Sequence, residues 1–425
     1  MLTQITQALK ARQRARHAAK TVARALRQPS GFRIALAERI AQLNPADWDA
    51  VVAGQSWFFS RDYLALLEAV PPDDIEPRYA LIHDDDGPVA ALVLQWVALA
   101  GADLRPLPET PDDEASPLRR LLGRVARKPS QALASRLQER VLVCGNLLTY
   151  GEHAVAVAAD VEPASIWPAV AEALYRLRRA EKLAGQAGFV LIKDVPLERP
   201  QGIELLRRVG YRQIESEPNM VLTLDPAWRD HAAYLASLTS KYRSAVKKQI
   251  VEPIEAAGLQ LRAFEADAPL GARMHELYLQ VHAKAALRPF TLHPGYFHAL
   301  QQAAGARLRC SGLFDAAGQL LGFICTLRDE SQALAYHIGF DRAVAAAAPL
   351  YLRLLHASIA DAIALGATEL SFGRTALEPK ARLGAKPQAL TVWVRHRQPL
   401  FNRLIKPLLL RAHHDDAPEC NPFKK

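Results

Sequence analysis

The sequence predicts a mixed α/β protein arranged as two domains of similar size. Three observations point there. The chain has 425 residues, more than one hydrophobic core ordinarily serves, which suggests two domains of roughly 180 residues each. Half of the residues are hydrophobic and 23% are charged, the balance of a globular chain rather than a disordered one. From Phe32 onward the apolar periodicity switches repeatedly between that of helices and that of strands. The reading divides the chain into a basic N-terminal helix or tail (1–31), a first domain (32–225), a second domain (226–397) and a basic amphipathic C-terminal tail (398–425).

In the first half, WDAVV and RDYLALLEAV read as helices. RYALIHDDDGPVAALVLQWVAL reads as two strands joined by a polar turn at Asp84 to Gly87. A Pro- and Asp-rich linker, PLPETPDDEASP, leads into LRRLLGRVARK, where Leu118, Leu121, Leu122 and Val125 make one apolar face and basic residues the other. The strand RVLVCGNLLTYG follows, then a helix from Ala164 to Gly185, the strand GFVLIKDV and a short helix near Gly202 to Val209. YRQIESEPNMVLTL closes this half as one strand.

The second half opens on the helix YLASLTSKYRSAVKKQI and the strand LQLRAFEA. Two helices come next, GARMHELYLQVHAKAAL and PGYFHALQQAA. RLRCSGLFDAAGQLLGFICTLRDESQALAYHIGFD gives three antiparallel strands, with DAAGQ as a hairpin turn. APLYLRLLHASIADAIALG is a strongly amphipathic helix closed by Gly366, and TELSFG is the next strand.

The net charge of +9 comes from 53 basic against 44 acidic residues. Much of it lies between Met1 and Arg33, where Lys10, Arg12, Arg14, Arg16, Lys20, Arg24, Arg27 and Arg33 occur without one acidic residue. Such segments favour anionic partners: phospholipid, nucleic acid or a phosphorylated substrate. This start also resembles a mitochondrial presequence. Cys144, Cys310, Cys325 and Cys420 form no CxxC pair, which argues against a zinc site and a disulfide framework and fits a reducing cytosol. The run Val89 to Gly101 is too short to span a bilayer. The expected location is cytoplasmic, with peripheral contact at the inner face of an anionic membrane through the basic amphipathic segments.

The order strand, helix, helix, three antiparallel strands, helix, strand, together with SKYRSAVKKQ, YHIGFD and FGRTALEPKARLGA, resembles the N-acetyltransferase (GNAT) fold. More narrowly, it resembles the tandem-GNAT group that includes the Fem peptidoglycan aminoacyltransferases and the related FemAB-like or CelD/BioF2-like acetyltransferases. The resemblance runs from about Phe32 to Arg397. It implies two GNAT-like domains, each a mostly antiparallel central sheet flanked by helices, with the active cleft mainly in the second. It further implies acyl or aminoacyl transfer to an amine by direct attack within a ternary complex, with no permanently bound cofactor and acyl-CoA as co-substrate.

In such enzymes the loop before the amphipathic helix holds the donor's pyrophosphate on backbone N–H groups. The matching positions here are Arg342, Ala345 and Ala347, with alanines where glycines usually stand. On the strand YHIGFD, Tyr336 and Ile338 are expected to point one way and His337 and Gly339 the other. His337, or a water it holds, is the expected base, and Tyr336 an expected lining residue. A lysine near a following FG is typical of Fem-like chains; here Lys380 precedes Leu383 and Gly384. Arg374 and Lys380 are expected to stabilise anionic charge, and Glu378 to orient Lys380 or act as a base. Lys241 and Arg243, with Lys247 and Lys248, make a basic helix suited to phosphate-bearing donors.

Two alternatives stand beside acyl-CoA transfer to a cell-envelope or other amine. One is Fem-type transfer from aminoacyl-tRNA to a peptidoglycan precursor. The short link after KYRSAVKKQI leaves no room for the long arm such enzymes often carry, whereas the lost glycines count against acyl-CoA. The other is a non-catalytic protein that binds anionic membrane or nucleic acid.

Overall fold

The computed structural model describes residues 28–100, 138–184, 187–198, 202–284, 289–403 and 420–424, with isolated positions between 18 and 24. The linker, the basic segment LRRLLGRVARK, nearly all of the N-terminal basic segment and the tail beyond Arg403 lie outside the described residues.

The first half contains strand β1 (Arg33–Ala37), helices α1 (Pro45–Val52) and α2 (Arg61–Ala69), and strands β2 (Ile75–His83), β3 (Pro88–Ala100), β4 (Gln138–Cys144) and β5 (Val155–Val157). Helix α3 (Trp167–Ala180) and strands β6 (Ala187–Pro196) and β7 (Arg212–Glu215) complete it. Asn44 and Ser60 start α1 and α2 as N-caps, their side chains accepting from Ala46 N and Tyr63 N. Strand β3 reads as a continuous apolar run because both of its faces are covered.

Strand β8 (Asn219–Thr223) begins the second sheet. Helices α4 (His231–Ser237), α5 (Ser240–Val246) and α6 (Glu252–Ala256) follow, a π-helical turn joining the last two. Then come β9 (Gln260–Phe264), α7 (Ala268–His282), α8 (Tyr296–Ala304) and strands β10 (Leu308–Phe314), β11 (Leu320–Asp329) and β12 (Gln332–Phe340). The half ends with α9 (Arg342–Ala345), α10 (Leu350–Ala364), β13 (Glu369–Ser371), α11 (Leu377–Arg382), β14 (Lys386–Gln388) and β15 (Leu390–His396). In α10 the apolar residues Leu350, Leu354, Leu355, Ile359 and Ala362 are buried on one face, and Gly366 past its end has φ +68°. Among the described residues no helix is long and apolar enough to cross a membrane.

The fold is mixed α/β, with two mostly antiparallel sheets flanked by helices. The first runs β1-β2-β3-β4-β6-β15-β7, with β5 beside β3; the second runs β14-β8-β13-β12-β11-β10-β9. Two strands cross between the halves. The single closing strand read from Tyr211 to Leu224 is two strands in two sheets, β7 in the first and β8 in the second, separated around Pro218, which has no N–H to give to a ladder. Strand β15, at the far end of the chain, lies between β6 and β7. The long helix read over YLASLTSKYRSAVKKQI is likewise interrupted, at Leu238 and Thr239.

Three cores result. One packs α3 on the first sheet and one packs α10 on the second. The third joins the halves, with Trp48, Phe58 and Tyr63 meeting Leu277, Tyr296, Phe297 and Phe323. Polar struts cross the same contact. Asp329 accepts from Trp57 N at 2.6 Å and lies 3.4 Å from His153 Nε2.

Candidate active site at the junction of the halves

Each sheet contains one parallel pair. In the first, β4 and β6 stay paired from Arg140 to Cys144. In the second, β12 and β13 pair only over Gln332–Leu334 and Glu369–Ser371, although β12 runs on to Phe340. Beyond Leu334 the partner follows β8 instead: Phe372 N bonds Met220 O, and Met220 N bonds Gly373 O. The two parallel strands therefore diverge into a wedge. A cavity of about 520 Å³ is lined by α5, α10 and α11, with Lys241, Tyr242, Leu352, His356, Glu378 and Arg382 in its wall. In the first half, where the parallel pair stays closed, a cavity against Trp167 and β6 holds only about 40 Å³.

The segment after β13 is wound tightly. Gly373 has φ +71°, and Thr375 and Ala376 also take left-handed conformations, at +62° and +46°. Left-handed backbone costs a residue with a Cβ on the order of 1 kcal/mol. The winding turns two successive carbonyls inward, and Lys380 Nζ donates to both, Gly373 O at 3.2 Å and Arg374 O at 2.5 Å. The Lys380 side chain is buried. Burial pulls its pKa down to about 7, against a smaller upward pull from Glu217. Gly373→Ala would place a methyl 2.8 Å from the Tyr150 ring at a positive φ. Its expected cost is roughly 2–4 kcal/mol, read as a lowered midpoint in denaturant.

Arg374 enters a buried cluster contributed by both halves. Its guanidinium pairs with Asp194, which also pairs with Lys193 and accepts from Gly151 N at 3.1 Å; the Tyr150 ring centroid lies 5.8 Å from the guanidinium carbon. Burial works to raise the Asp194 carboxyl, but Lys193 and Arg374 outweigh it and hold the pKa below the ordinary value. Burial lowers Lys193 despite the attraction of Asp194. Two cations meet one carboxylate at Asp194, and a second carboxylate, Glu217, lies near enough to act on both Tyr150 and Lys380.

Several expected roles change here. The charge of Arg374 is already answered by Asp194 through one Nη, while its Nε has no partner among the described residues. Glu378 does not orient Lys380: the two project from different faces of α11, and Glu378 pairs with Arg382 at 2.6 Å on the surface. Such an exposed pair contributes under about 1 kcal/mol. The glycines flanking the segment answer to rings rather than to an anion, Gly373 to Tyr150 and Gly384 to Phe423.

The expected alternation on β12 also fails. A β-bulge opposite Cys325 and Thr326 inserts one extra residue. Tyr336 and His337 consequently lie side by side, ring centroids 4.1 Å apart. Tyr336 Oη lies 2.9 Å from both Tyr63 Oη and Tyr296 Oη, and Asn146 Nδ2 donates to Tyr63 Oη at 2.8 Å. Tyr336 is thus a strut between the halves rather than a lining residue. His337 sits among Tyr278, Tyr296, Phe297 and Tyr336, its Nε2 buried without a partner among the described residues. Burial takes its pKa down to about 3, so it is neutral at pH 7 and a weak base.

The alanine-rich loop is closed to phosphate. Asp341 Oδ1 accepts from Ala343 N and Val344 N, and Arg342 N donates to Gln280 Oε1. A carboxylate and an amide oxygen therefore occupy the donors that a pyrophosphate needs, and the exposed Arg342 stands beside that carboxylate. Helix α10, by contrast, begins after Pro349 with no side-chain cap, and Leu352 in its first turn lines the cavity. Lys241 reaches the cavity wall, and Arg243 instead donates to Leu238 O at 3.2 Å.

One cavity residue escaped the sequence reading. His356 on α10 is buried, 3.1 Å from His231 Nε2 through its Nδ1, and its Nε2 has no partner among the described residues. Burial, then Arg353, takes His231 down to about 4; burial and His231 hold His356 well below the ordinary value. Within LLHASIAD it looks like an ordinary helical residue, and nothing local marks it.

Comparison with known proteins places this geometry. Residues 240–381 match the model of the acetyltransferase (GNAT) domain. No curated protein matches the chain. Among solved structures, FemX superposes with a TM-score of 0.52 at 11% identity, covering 85% of this chain and 98% of its own. A tandem GNAT protein from the clavulanic acid biosynthesis pathway gives 0.48 at 12%, covering 87% and 99%. The L-PGS of Bacillus licheniformis gives 0.41 at 11%, covering 82% and 95%.

Proposed function

We propose, from the premise that residues 240–381 form an acetyltransferase (GNAT) domain, that the protein moves an acyl group from a CoA thioester to an amine. The observation that carries this reading is the wedge where β12 and β13 part after Leu334 and Ser371. An extended thioester arm can enter such a wedge and take up the strand hydrogen bonds that the departing neighbour leaves free. The donor's phosphates would lie toward the uncapped start of α10 and the cations Lys241 and Arg382, displacing Glu378 from its exposed pair with Arg382, and not at Arg342. The closed counterpart in the first half leaves that half the task of holding the acceptor.

Lys380 is the group suited to proton transfer. As a neutral amine it has two N–H bonds, both given to the carbonyls of Gly373 and Arg374, and a lone pair left over. The acceptor nitrogen attacks the thioester carbon and the C–N bond forms. Its proton passes to Lys380, directly or through water, as the thiolate leaves and is protonated in turn. His337 takes no proton in this scheme; Tyr336 holds β12 against the first half through Tyr63.

Titration calorimetry with acetyl-CoA at low and moderate salt tests the donor. Saturable binding is expected to persist at moderate salt and to weaken roughly tenfold in Lys241→Glu/Arg382→Glu, while Arg342→Glu leaves it nearly unchanged. Absence of binding by the parent protein overturns the CoA reading and leaves either aminoacyl-tRNA, the donor of the Fem enzymes that the sequence resembles, or a non-catalytic protein that binds an anionic membrane or nucleic acid.

A further inference from the structure

A second cavity, of about 830 Å³, opens where the last turn of α3 meets the end of β15, and its charge is of one sign. Arg178, Arg179, Lys182 and Arg397 line it together with Tyr175. The C-terminal carbonyls of α3 account for cations in its own last turn, but Lys182 and Arg397 arrive from other segments. Among the described residues no carboxylate pairs with any of the four; Arg176 next to them is matched by Glu172. Burial lowers the Arg178 pKa, and the neighbouring Arg395 and Arg397 push the same way. Like charges gathered without counter-charge raise the energy of the folded chain until an anion arrives.

The rim is apolar. Five large hydrophobic side chains stand out as exposed among the described residues, and three of them belong here: Tyr175 at 45%, Leu400 at 70% and Phe401 at 52%. Tyr175 is in the cavity wall, and Leu400 and Phe401 follow directly on Pro399, which also lines it. A soluble phosphate ester would engage the cations but leave these rings in water. A bilayer surface satisfies both, with lipid phosphates on the arginines and Leu400 and Phe401 at the boundary between headgroups and acyl chains. Downstream, the sequence continues the pattern with Leu404, Ile405, Leu408 and Leu409 among Arg403, Lys406 and Arg411.

We propose that this face docks the protein on an anionic phospholipid surface, Arg178, Arg179, Lys182 and Arg397 meeting the headgroups while Leu400 and Phe401 insert. The proposal is independent of the transfer reaction, since none of these residues belongs to the candidate active site. The test is co-sedimentation of the intact protein with vesicles of phosphatidylcholine, alone or with one-third phosphatidylglycerol, at moderate ionic strength. Partition is expected only onto the anionic vesicles. It should fall at least roughly tenfold in Arg179→Glu/Lys182→Glu/Arg397→Glu and again in Leu400→Asp/Phe401→Asp. All five positions are exposed, so thermal melting should be unchanged. Failure of the parent protein to sediment with anionic vesicles overturns the proposal, as does undiminished binding by the charge-reversal variant. Release by millimolar inorganic phosphate overturns it as well, in favour of a soluble phosphate ligand.

Discussion

Lys380→Met is expected to abolish acyl transfer and, below neutral pH, to make the protein more stable. The two effects share one cause. In the folded chain the ammonium has a pKa of about 7 against an ordinary 10.5, so between those values the unfolded state binds the proton and the folded state does not. Stability therefore rises with pH across that window, by up to about 1.4 kcal/mol per unit. Below pH 7 the folded chain carries the whole penalty of a buried ammonium, at most about 5 kcal/mol on this scale. Methionine has a similar length and no charge to desolvate; it leaves the Arg374 carbonyl without its Lys380 donor, at about 1–3 kcal/mol, less than the full penalty it removes. The variant should unfold at higher denaturant than the parent at pH 6, with the difference shrinking as pH approaches 10. Loss of the proton acceptor should lower kcat by about 10²–10⁴. Lys380→Arg separates charge from proton transfer, since a guanidinium is too basic to lose its proton; it should be both inactive and less stable. Should Lys380→Met keep activity within a few-fold of the parent, or lose stability at every pH, the lysine is structural only.

The sequence carried the local signals well and the long-range ones poorly. The apolar run in RYALIH, the helix RDYLALLEAV and the amphipathic helix from Leu350 to Ala364 are properties of a few neighbouring residues, and those elements form as read. Lys380 was legible as a candidate because a lysine set among glycines and charges is unusual. Its burial was not, since the loop carbonyls that hold it depend on left-handed turns at Thr375 and Ala376, residues with no special preference for them. The bulge that puts Tyr336 beside His337 arises from the pairing of β11 with β12, not from either strand alone. Arg374 was read as open because Asp194, 180 residues away, gives no hint in sequence that it answers that charge. The loss of glycines at Ala345 and Ala347 was visible; the cap by Asp341 that fills their place follows only from the coordinates of the turn.

A chain ending at Ala389 is expected to lose the first half of the fold, although nearly all of that half precedes residue 216. Strand β15 pairs with β6 from Phe189 to Pro196 on one side and with β7 from Arg212 to Glu215 on the other. Thr391 Oγ1 donates to Val195 O at 2.9 Å across 196 residues of sequence. The Trp393 ring is fully buried in the core that α3 shares with Ile192, Leu206 and Tyr211. Truncating one such aromatic costs about 3–5 kcal/mol, and removing an internal strand also strips two hydrogen-bonded edges. Together these losses are of the same order as the roughly 5–15 kcal/mol that ordinarily keeps a domain folded. Hydrogen exchange should find β6 and β7 unprotected in the truncated chain. Because the truncation also removes Phe423 from Gly384, Trp393→Asp in the intact chain is the cleaner measurement and should unprotect the same two strands. Fragment 32–225 should fail alike, lacking β15, and recover when a peptide covering 386–400 is added. Full protection of β6 in either variant would mean the first half stands without its borrowed strand. The expected failure would instead make the exchange of β8 and β15 the lock that holds the Asp194–Arg374 pair, one residue from each half, in register beside Lys380.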